Sequence, residues 1–370
     1  MSSLAGRKVL VAMSGGVDSS VAAALLQERG AQVVGCFMRL GSEDAAEEAE
    51  DTCDPAKTRR QGCCSVNDAA DARLVAARLG IPFYVLNFKA DFGRIIDYFV
   101  REYDAGRTPN PCVRCNDWLK FGKLHQYARS IDADYVATGH YARIDHRGGQ
   151  PRLLRGLDAG KDQSYVLFGS PLERLEQMLL PIGEMHKPEV RERAQELGLA
   201  VHDKPDSQEI CFVPDNDYAG LVRRQSPDAV REGAILDREG NVVGKHPGHQ
   251  HFTIGQRRGV GVALGYPIYV TRRDPAGNTI TVGQKQDLLA GGLVASEGNW
   301  LAEEPGDWRA CGAQVRYNGR PQPAKVRSLG AGRLEVRFDE PVSAVTPGQA
   351  VVCYDGERVI GGGWIDEARD

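Results

Sequence analysis

Residues 8–20 read KVLVAMSGGVDSS, and this stretch decides the fold of the first half of the chain. The β-branched run at 8–13 is typical of a buried strand, and the residues from Asp18 onward have the periodicity of a helix that ends at Gly30. The two glycines between strand and helix let the backbone approach a bound group closely, and a helix start offers amide donors. The stretch therefore predicts a strand–loop–helix unit whose loop binds phosphate.

The same alternation continues to about residue 200 and predicts a parallel sheet with helices on both faces, an α/β Rossmann-like domain. The further predicted strands are QVVGCFM (32–38), PFYVLNF (82–88) and DYVATGH (134–140). The further predicted helices are NDAADARLVAARLG, which ends at Gly80, and the stretches 90–106 and 116–131.

From about Asp215 the pattern changes to turn signals and period-two strands such as AKVRSL, RLEVRF and AVVCYD. The expected domains are an α/β domain at 1–214, a small mixed domain at 215–287 and an all-β barrel at 288–370. The acidic segment Gly41–Pro55 is expected to be an exposed loop.

Composition narrows the class of protein. The 370 residues have 42% apolar residues and a net charge of −4, which is typical of a globular chain that would bind nucleic acid only through local basic clusters. Candidates are Arg223–Arg224, Arg257–Arg258 and Arg272–Arg273, unless these pairs are ordinary solvated surface. No apolar run is long enough to span a membrane and no signal peptide is recognised, so we expect a cytoplasmic protein without a membrane partner.

Asp18 follows the two glycines and lies near the predicted helix start, where its carboxylate could cap the helix or hold a metal ion bound to phosphates. The loop is not a Walker A motif, because GxxxxGK[ST] is absent. In an open α/β sheet, ligands collect at the carboxyl ends of the strands. Met38 and Gly139 are therefore expected at the same edge as the loop.

Nine cysteines, an odd number, argue against a disulfide scaffold and for reactive or metal-binding thiols. In TPNPCVRCN (108–116), Pro109 and Pro111 are expected to exclude a helix, so that 112–116 form a rigid approach to a helix at 117–130. Cys115, beside Arg114, is expected to favour the thiolate. Cys211, in the polar run DSQEICF, is expected on a surface loop.

The heptapeptide SGGVDSS resembles the pyrophosphate loop of the ATP pyrophosphatase superfamily. Behind it follow, in order, TPNPCVRCN, ATGHY (137–141), KDQSY (161–165), SQEICF (207–212), HFTIGQRRG (251–259) and VRYN (315–318). As an ordered set these motifs are similar to those of the tRNA-specific 2-thiouridylase family. The resemblance implies an adenine-nucleotide α-hydrolase-like domain, a small central domain and a C-terminal β-barrel.

The resemblance also implies roles for individual residues. Cys115 would be the nucleophile and Cys211 the persulfide carrier. The residues implied for ATP are Ala12, Met13, Ser14, Gly15, Gly16, Val17, Asp18, Ser19, Met38 and Gly139. Those implied for the target base are Asn110, Pro111 and Cys112. Those implied for tRNA are His140, Lys161, Asp162, Gln163, Arg316, Tyr317 and Gln349.

The implied reaction transfers AMP from ATP to the C2 oxygen of the wobble uridine, at position 34, and then replaces that oxygen by sulfur. Mg²⁺ would neutralise the phosphates. The sulfur would come from a cysteine desulfurase or a sulfur-relay protein, through the Cys211 persulfide, and the reaction would end with a Cys115–Cys211 disulfide. The expected partners are the tRNAs for Lys, Glu and Gln.

Cys112 departs from the family pattern, because many members have an aspartate at this position. Three thiols, Cys112, Cys115 and Cys211, could instead hold a [4Fe–4S] cluster that delivers sulfide. Other groups of candidate ligands receive simpler interpretations. Cys53, Cys63 and Cys64 are read as incidental thiols of a loop; His246, His249 and His251 as an RNA-facing loop; and Cys36, Cys311 and Cys353 as core residues.

Two competing hypotheses remain open at this point. Another synthetase or amidotransferase of the same superfamily would explain SGGVDSS, but it leaves Cys115, Cys211 and the β-rich tail without roles. A non-catalytic RNA-binding or nucleotide-sensing protein would have lost Asp18 or the cysteines, and none of these is missing.

Overall fold

The computed structural model describes residues 4–41, 66–206, 210–213 and 217–370. These form two compact units. The first unit comprises Met1–Arg94, Cys112–Asn216 and Glu357–Val359, and the second comprises Ile95–Pro111, Asp217–Gly356 and Ile360–Asp370. The predicted acidic loop at Gly41–Pro55 lies, beyond Gly41, outside the described residues, as do Cys53, Cys63 and Cys64.

The first unit is built on a five-stranded parallel sheet with the order β3-β2-β1-β4-β7. The strands of this unit are β1 (Lys8–Ala12), β2 (Gln32–Arg39), β3 (Phe83–Asn87), β4 (Tyr135–Thr138), β5 (Ala142–Asp145), β6 (Arg152–Arg155) and β7 (Met178–Leu179). The four predicted strands are confirmed, whereas β7, only two residues long, gave no recognisable signal.

Helices cover both faces of this sheet, as the α/β prediction requires. The helices that lie wholly or partly in this unit are α1 (Val17–Glu28), α2 (Val66–Leu79), α3 (Lys89–Asp104), α4 (Pro111–Arg114), α5 (Leu124–Ser130), α6 (Leu172–Leu175) and α7 (Lys187–Glu196). Val9 and Val11 pack in the cluster that contains α1, while Leu10 lies in a second cluster with Leu124 of α5. Alternate residues of one strand thus face opposite layers.

Pro111 corrects the sequence-based expectation for the cysteine motif. The helix begins at Pro111, continues through a π-helical stretch at Cys115–Lys123 and ends with α5, so Cys112 lies within the helix instead of in an approach to it. Proline is favourable at the first helical position, because its missing N–H has no intrahelical acceptor there. Its fixed φ therefore starts this helix where we expected it to forbid one.

The second unit contains a small mixed sheet and a barrel. The small sheet has the order β10-β11-β8-β9 with a parallel pair β8–β11, and α8 (Tyr218–Gln225) precedes it. Its strands are β8 (Gly233–Leu236), β9 (Val242–His246), β10 (Tyr269–Asp274) and β11 (Thr279–Gly283).

Six antiparallel strands close into a C-terminal barrel, because β12 pairs with both β15 and β17. They are β12 (Leu289–Trp300), β13 (Arg309–Gln314), β14 (Gln322–Gly330), β15 (Arg333–Ser343), β16 (Ala350–Asp355) and β17 (Arg358–Arg369). Cys353 is buried in the barrel core and Cys36 beneath the first sheet, as predicted, whereas Cys311 is half-buried. Burial raises the pKa of the Cys36 thiol.

Among the helices that the structure describes, none combines the length and the apolarity needed to cross a bilayer. The three domain boundaries expected from the sequence remain predictions.

Candidate active site

The glycine loop lies between β1 and α1, at the carboxyl edge of the first sheet. Ser19 Oγ accepts a hydrogen bond from Ser14 N at 3.1 Å, and Ser20 Oγ donates to Gly16 O at 2.8 Å. Gly15 has φ +73°, and a Cβ there would lie 2.2 Å from the carbonyl oxygen of Asp68. Only glycine fits this position, and the loop therefore presents backbone amides and small hydroxyls, a surface suited to phosphate.

Gly139 brings the end of β4 against the start of α1. A Cβ at Gly139 would lie 2.5 Å from Ser19 N, so a side chain is excluded by the helix backbone. The register aligns Ala12 with Cys36 and with Thr138, which places Met38 and Gly139 just past the same edge as the loop. The structure thus brings together the residues predicted for ATP from three adjacent strands.

Asp18 does not cap α1, because Gly16 is the N-cap and no side chain caps the helix. Its carboxylate instead accepts hydrogen bonds from Lys187 Nζ at 2.8 and 2.9 Å and from Tyr141 Oη at 2.8 Å. Burial and the Asp18 carboxylate raise the pKa of Tyr141, which therefore stays a hydrogen-bond donor. Asp18 is held in one orientation beside the loop.

Asp206 is the second carboxylate bound by Lys187, at 2.7 Å from Nζ. It also accepts from Lys161 Nζ at 2.8 Å and from Arg191 at 3.1 Å. Burial opposes its ionisation, but the hydrogen bonds from Lys161 and Lys187 prevail and lower the pKa of Asp206 to about 2. The carboxylate is therefore charged at neutral pH.

Lys204 forms a second connection to the loop. Its Nζ donates to the carbonyl oxygen of Gly15 at 2.9 Å and to the carboxylates of Asp68 and Asp71 at 2.7 and 2.6 Å. Burial disfavours the charge of Lys204, but the two carboxylates outweigh it and raise the pKa. Residues 204–206 are thus attached to the nucleotide loop from two sides.

Lys187 was not among the predicted site residues, although its position in the sequence carries a signal. Lys187 is the first residue of α7, directly before Pro188, and the helix dipole makes the start of a helix unfavourable for a cation. A lysine that is only 10% exposed at such a position requires nearby carboxylates. Its partners Asp18 and Asp206 could not be identified without the fold.

Cys115 is half-buried and is the first residue of the π-helical stretch, while Cys112 is exposed. Arg114 packs over the ring of Trp118, with its guanidinium carbon 5.1 Å from the ring centroid, and Arg94 lies 5.3 Å from the same ring. π-Helical turns inside α-helices are rare, and those that occur are frequently found at functional sites. Two cations therefore flank the helix turn that carries Cys115.

Cys211 is also half-buried, so neither of the two predicted reactive thiols is sealed in the core. The next residue, Phe212, packs its ring edge-on against Phe92, with centroids 5.5 Å apart. Residues 207–209 and 214–216 lie outside the described part of the chain. Cys211 is therefore carried on a short segment that an aromatic contact attaches to the first unit.

No group of three His, Cys, Asp or Glu side chains within the described ranges is arranged to hold a metal ion. Cys112, Cys115 and Cys211 are included in this statement, so the fold does not gather them into a ready ligand set for an iron–sulfur cluster.

The predicted tRNA residues of the first unit mostly have internal partners. Asp162 accepts from Arg155 Nε at 2.7 Å and from Ser164 N, and Gln163 accepts from the backbone N–H of Tyr141. His140 is buried, and its Nδ1 lies 2.6 Å from Thr138 Oγ1; burial keeps the pKa of His140 well below its usual value. Lys161, paired with Asp206, is 36% exposed.

In the second unit, Gln349 contacts the two residues that precede Asn110, the first residue predicted to contact the target base. Its Nε2 donates to the carbonyl oxygens of Thr108 and Pro109, both at 3.1 Å. Gly348, at φ +88°, allows this approach, because a Cβ there would lie 2.8 Å from Thr108 O. The backbone carbonyls just before Asn110 are therefore held by the side chain of Gln349.

Arg273 also contacts Thr108, and the burial of Arg273 and of two nearby histidines differs from what the sequence led us to expect. It is 7% exposed, so of the pair Arg272–Arg273 only Arg272 lies on the surface. The guanidinium of Arg273 donates to Phe252 O at 2.7 Å and to Thr108 Oγ1 at 3.5 Å. Burial lowers the pKa of Arg273 to about 10. His246 and His249, expected to face RNA, are also buried, at 2% and 3% exposure.

Arg316 and Tyr317 follow β13 in the barrel. Arg316 donates to the carbonyl oxygen of Ser343, and Tyr317 is 41% exposed. Exposure leaves Tyr317 accessible to a ligand.

A parallel sheet with helices on both faces and a glycine loop after its first strand define a nucleotide-binding α/β protein. The family model described as "tRNA methyl transferase HUP domain" matches residues 7–215. Models described as "tRNA methyl transferase PRC-barrel domain" and "Aminomethyltransferase beta-barrel domain" match 223–284 and 290–365.

Relatives over the full length define the family. The chain is 50% identical to the tRNA-specific 2-thiouridylase MnmA of Rhodopirellula baltica, over 98% of this chain and 97% of that protein. It is 49% identical to the protein of the same name from Geobacter metallireducens, over 100% of this chain and 99% of that one. The chain therefore belongs to the tRNA-specific 2-thiouridylase MnmA family.

A solved 4-thiouridine synthetase–RNA complex with bound ATP is 18% identical and covers 60% of this chain and 51% of that chain, with a TM-score of 0.32. This degree of similarity does not bear on function.

Proposed function

We propose that this chain is an ATP-dependent tRNA sulfurtransferase that converts the wobble uridine, at position 34, to 2-thiouridine. The observation that carries the proposal is the full-length identity to curated thiouridylases, together with a phosphate-binding loop and two accessible thiols in one α/β unit. A synthetase or amidotransferase that uses ammonia would leave Cys115 and Cys211 without roles.

ATP binds at the carboxyl edge of the first sheet, with its phosphates on Ala12–Ser19 and its adenosine beside Met38 and Gly139. The loop's amides and hydroxyls hold the phosphates, and the bulk of α1 behind Gly139 fixes how deeply the nucleotide enters. Asp18 is a hard oxygen donor beside these phosphates and would hold Mg²⁺, which supplies charge neutralisation when bound.

The uridine C2 oxygen attacks the α-phosphate, pyrophosphate leaves, and the oxygen now carries AMP as a good leaving group. Two routes lead to sulfur at C2. In the direct route the terminal sulfur of the Cys211 persulfide attacks C2 and AMP leaves, and Cys115 then attacks the Cys211 sulfur and releases the thiouridine. In the other route Cys115 attacks the Cys211 sulfur first, and the released sulfide attacks C2 and displaces AMP. In both routes the persulfide sulfur is reduced while Cys115 and Cys211 are oxidised to a disulfide. An external thiol must then reduce that disulfide before the next turnover.

Asn110–Cys112 contact the splayed target base. Gln349 and Gly348 support this role, because they fix the backbone just before Asn110. The remaining tRNA contacts are His140, Lys161–Gln163, Arg316–Tyr317 and Gln349. The expected tRNAs are those for Lys, Glu and Gln, and the expected donor is a cysteine desulfurase or a sulfur-relay protein.

The test uses the full chain with ATP, magnesium, unmodified tRNA and a cysteine desulfurase with cysteine as the persulfide donor, since free sulfide could attack the adenylated uridine without either thiol. The tRNA is then digested to nucleosides and their masses are measured by mass spectrometry. The expected result is a uridine in which one sulfur replaces one oxygen. Cys115→Ala should remove this product. Cys311→Ser, which changes a half-buried thiol of the barrel, is the matched control and should retain it.

A product that survives Cys115→Ala overturns the nucleophile assignment, and no thiouridine from the wild type overturns the function. The reaction is repeated without oxygen, with and without reconstituted iron. Product that forms only with iron replaces the persulfide route by a cluster on Cys112, Cys115 and Cys211.

A further inference from the structure

Asp206 lies five positions before Cys211 in the sequence and at the centre of a network of ion pairs. Its carboxylate accepts from Lys161, Lys187 and Arg191 at 2.7 to 3.1 Å. Lys187 shares its ammonium with Asp18 of the nucleotide loop at 2.8 Å. One lysine thus joins the nucleotide loop to the chain that leads to Cys211.

The network is held from both ends. Arg191 also donates to the carbonyl oxygens of His202 and Lys204, at 2.9 and 3.0 Å, so the backbone before Asp206 cannot shift without breaking further bonds. Lys204 itself donates to the carbonyl oxygen of Gly15. Residues 202–206, which precede Cys211 in the chain, are therefore fixed relative to the glycine loop.

The network also reaches a residue proposed for tRNA. Lys161 is more exposed than Lys187, at 36% against 10% of the side chain, and both bind the same carboxylate. Phosphate is the group that each lysine would meet when a ligand arrives, from ATP at Lys187 and from the tRNA backbone at Lys161. Asp206 is the common partner whose bonds both ligands would change.

We infer that Asp206 is a positioning residue for sulfur transfer: it fixes residues 202–206, which precede Cys211 in the chain, according to the occupancy of Lys187 and Lys161. The inference rests on the proposed function and adds to it a residue that touches neither nucleotide nor base. Loss of the carboxylate should leave Asp18 paired with Lys187, so adenylation should continue. Sulfur delivery should fail, because residues 202–206 lose the three contacts that Asp206 makes with Lys161, Lys187 and Arg191.

The test compares Asp206→Asn with Asp206→Glu and with Asp203→Asn. Asp203 is an exposed residue of the same segment and the matched control. Single-turnover release of pyrophosphate in the presence of tRNA reports adenylation, and 2-thiouridine formation reports sulfur transfer. For Asp206→Asn we expect thiouridine formation to fall about 10- to 100-fold and pyrophosphate release to change less than about threefold. Asp206→Glu should recover part of the loss.

A second measurement does not depend on activity. The rate at which iodoacetamide alkylates Cys211, followed by peptide mass, should change when ATP and tRNA are added to the wild type and to Asp203→Asn. In Asp206→Asn this response should disappear, while alkylation without ligands continues.

The outcomes are distinguishable. Equal losses of pyrophosphate release and thiouridine would make Asp206 part of the nucleotide site and overturn the inference. A wild-type response of Cys211 in Asp206→Asn would overturn it too. A wild type that makes no thiouridine overturns the proposed function, whereas the alkylation response still tests the link between the loop and the segment.

Discussion

Lys187 in the first unit and Arg273 in the second are two equally buried cations with opposite surroundings. They are 8% and 7% exposed. Lys187 lies between the carboxylates of Asp18 and Asp206, both within 3 Å. Within the described residues Arg273 pairs with no carboxylate, and has only two oxygen acceptors and the ring of Tyr103, whose centroid is 5.6 Å away.

The difference shows how each site is prepared for its ligand. Around Lys187 the charges compensate one another, so the site is stable when empty and an arriving phosphate must compete with carboxylates. Arg273 keeps a cation in a poorly solvated place, which costs stability, and it does so beside the segment that leads to Asn110. The first site can respond to a ligand, while the second holds a segment in place.

The largest expected effect on stability and activity comes from removing Lys187, and it is compared with the removal of Arg273. Lys187→Met leaves two neighbouring carboxylates without their shared partner, so we expect a loss of about 2 kcal/mol in the free energy of unfolding and at least about 100-fold in thiouridine formation. Arg273→Met removes an uncompensated charge together with two hydrogen bonds, and the net change in stability should stay below about 1 kcal/mol. Urea titrations of both variants make the comparison.

Equal destabilisation by the two variants would contradict the contrast between compensated and uncompensated burial. A Lys187→Arg variant keeps the charge and serves as the control for the loss of the carboxylates' partner. It should unfold closer to the wild type than Lys187→Met does.

A smaller effect is expected at the segment that Arg273 and Gln349 share. Gln349→Leu removes both donors to the carbonyls of Thr108 and Pro109, and we expect a loss of about 1 kcal/mol in stability. The KM for tRNA should rise about tenfold with little change in adenylation of bound tRNA. Steady-state kinetics at varied tRNA concentration measure the split; Gln322→Leu, an exposed change on β14, is the control.

Much of the fold could be predicted from sequence, whereas the surroundings of Lys187 and Arg273 could not, for physical reasons. The β-branched runs identified four strands of the first sheet, and the glycine loop identified its ligand edge. The partners of Asp206 could not be identified, because Lys161 lies 45 residues away and only folding brings the two together. Pro111 was misjudged because a proline's effect on a helix depends on whether it falls at the first turn or later.

Burial was the other gap. His246, His249 and Arg273 occur among glycines, prolines and charged residues, a composition typical of exposed loops, yet the small sheet and the neighbouring residues of its unit bury them. Barrel closure through β12 and β17 pairs residues that are 61 to 77 positions apart, from Trp300 with Gly361 to Gly292 with Arg369, and no local pattern encodes such a pairing.

The smallest effect, and the one that sharpens the comparison most, is the pH dependence of Asp206. Its pKa falls from 3.8 to about 2 on folding, so its ion pairs stabilise the protein at every pH above about 4, and that stabilisation is lost as the pH falls toward 2. Since the carboxylate is partly exposed, we expect a discounted contribution of about 1 kcal/mol. The free energy of unfolding of wild type minus that of Asp206→Asn should be constant from pH 7 to about 5 and shrink below about 4. Asp203→Asn, without such pairs, should show no such change. A difference that stays constant to pH 2 would mean that the carboxylate stabilises the fold without its charge, and Lys187 would then be compensated by Asp18 alone.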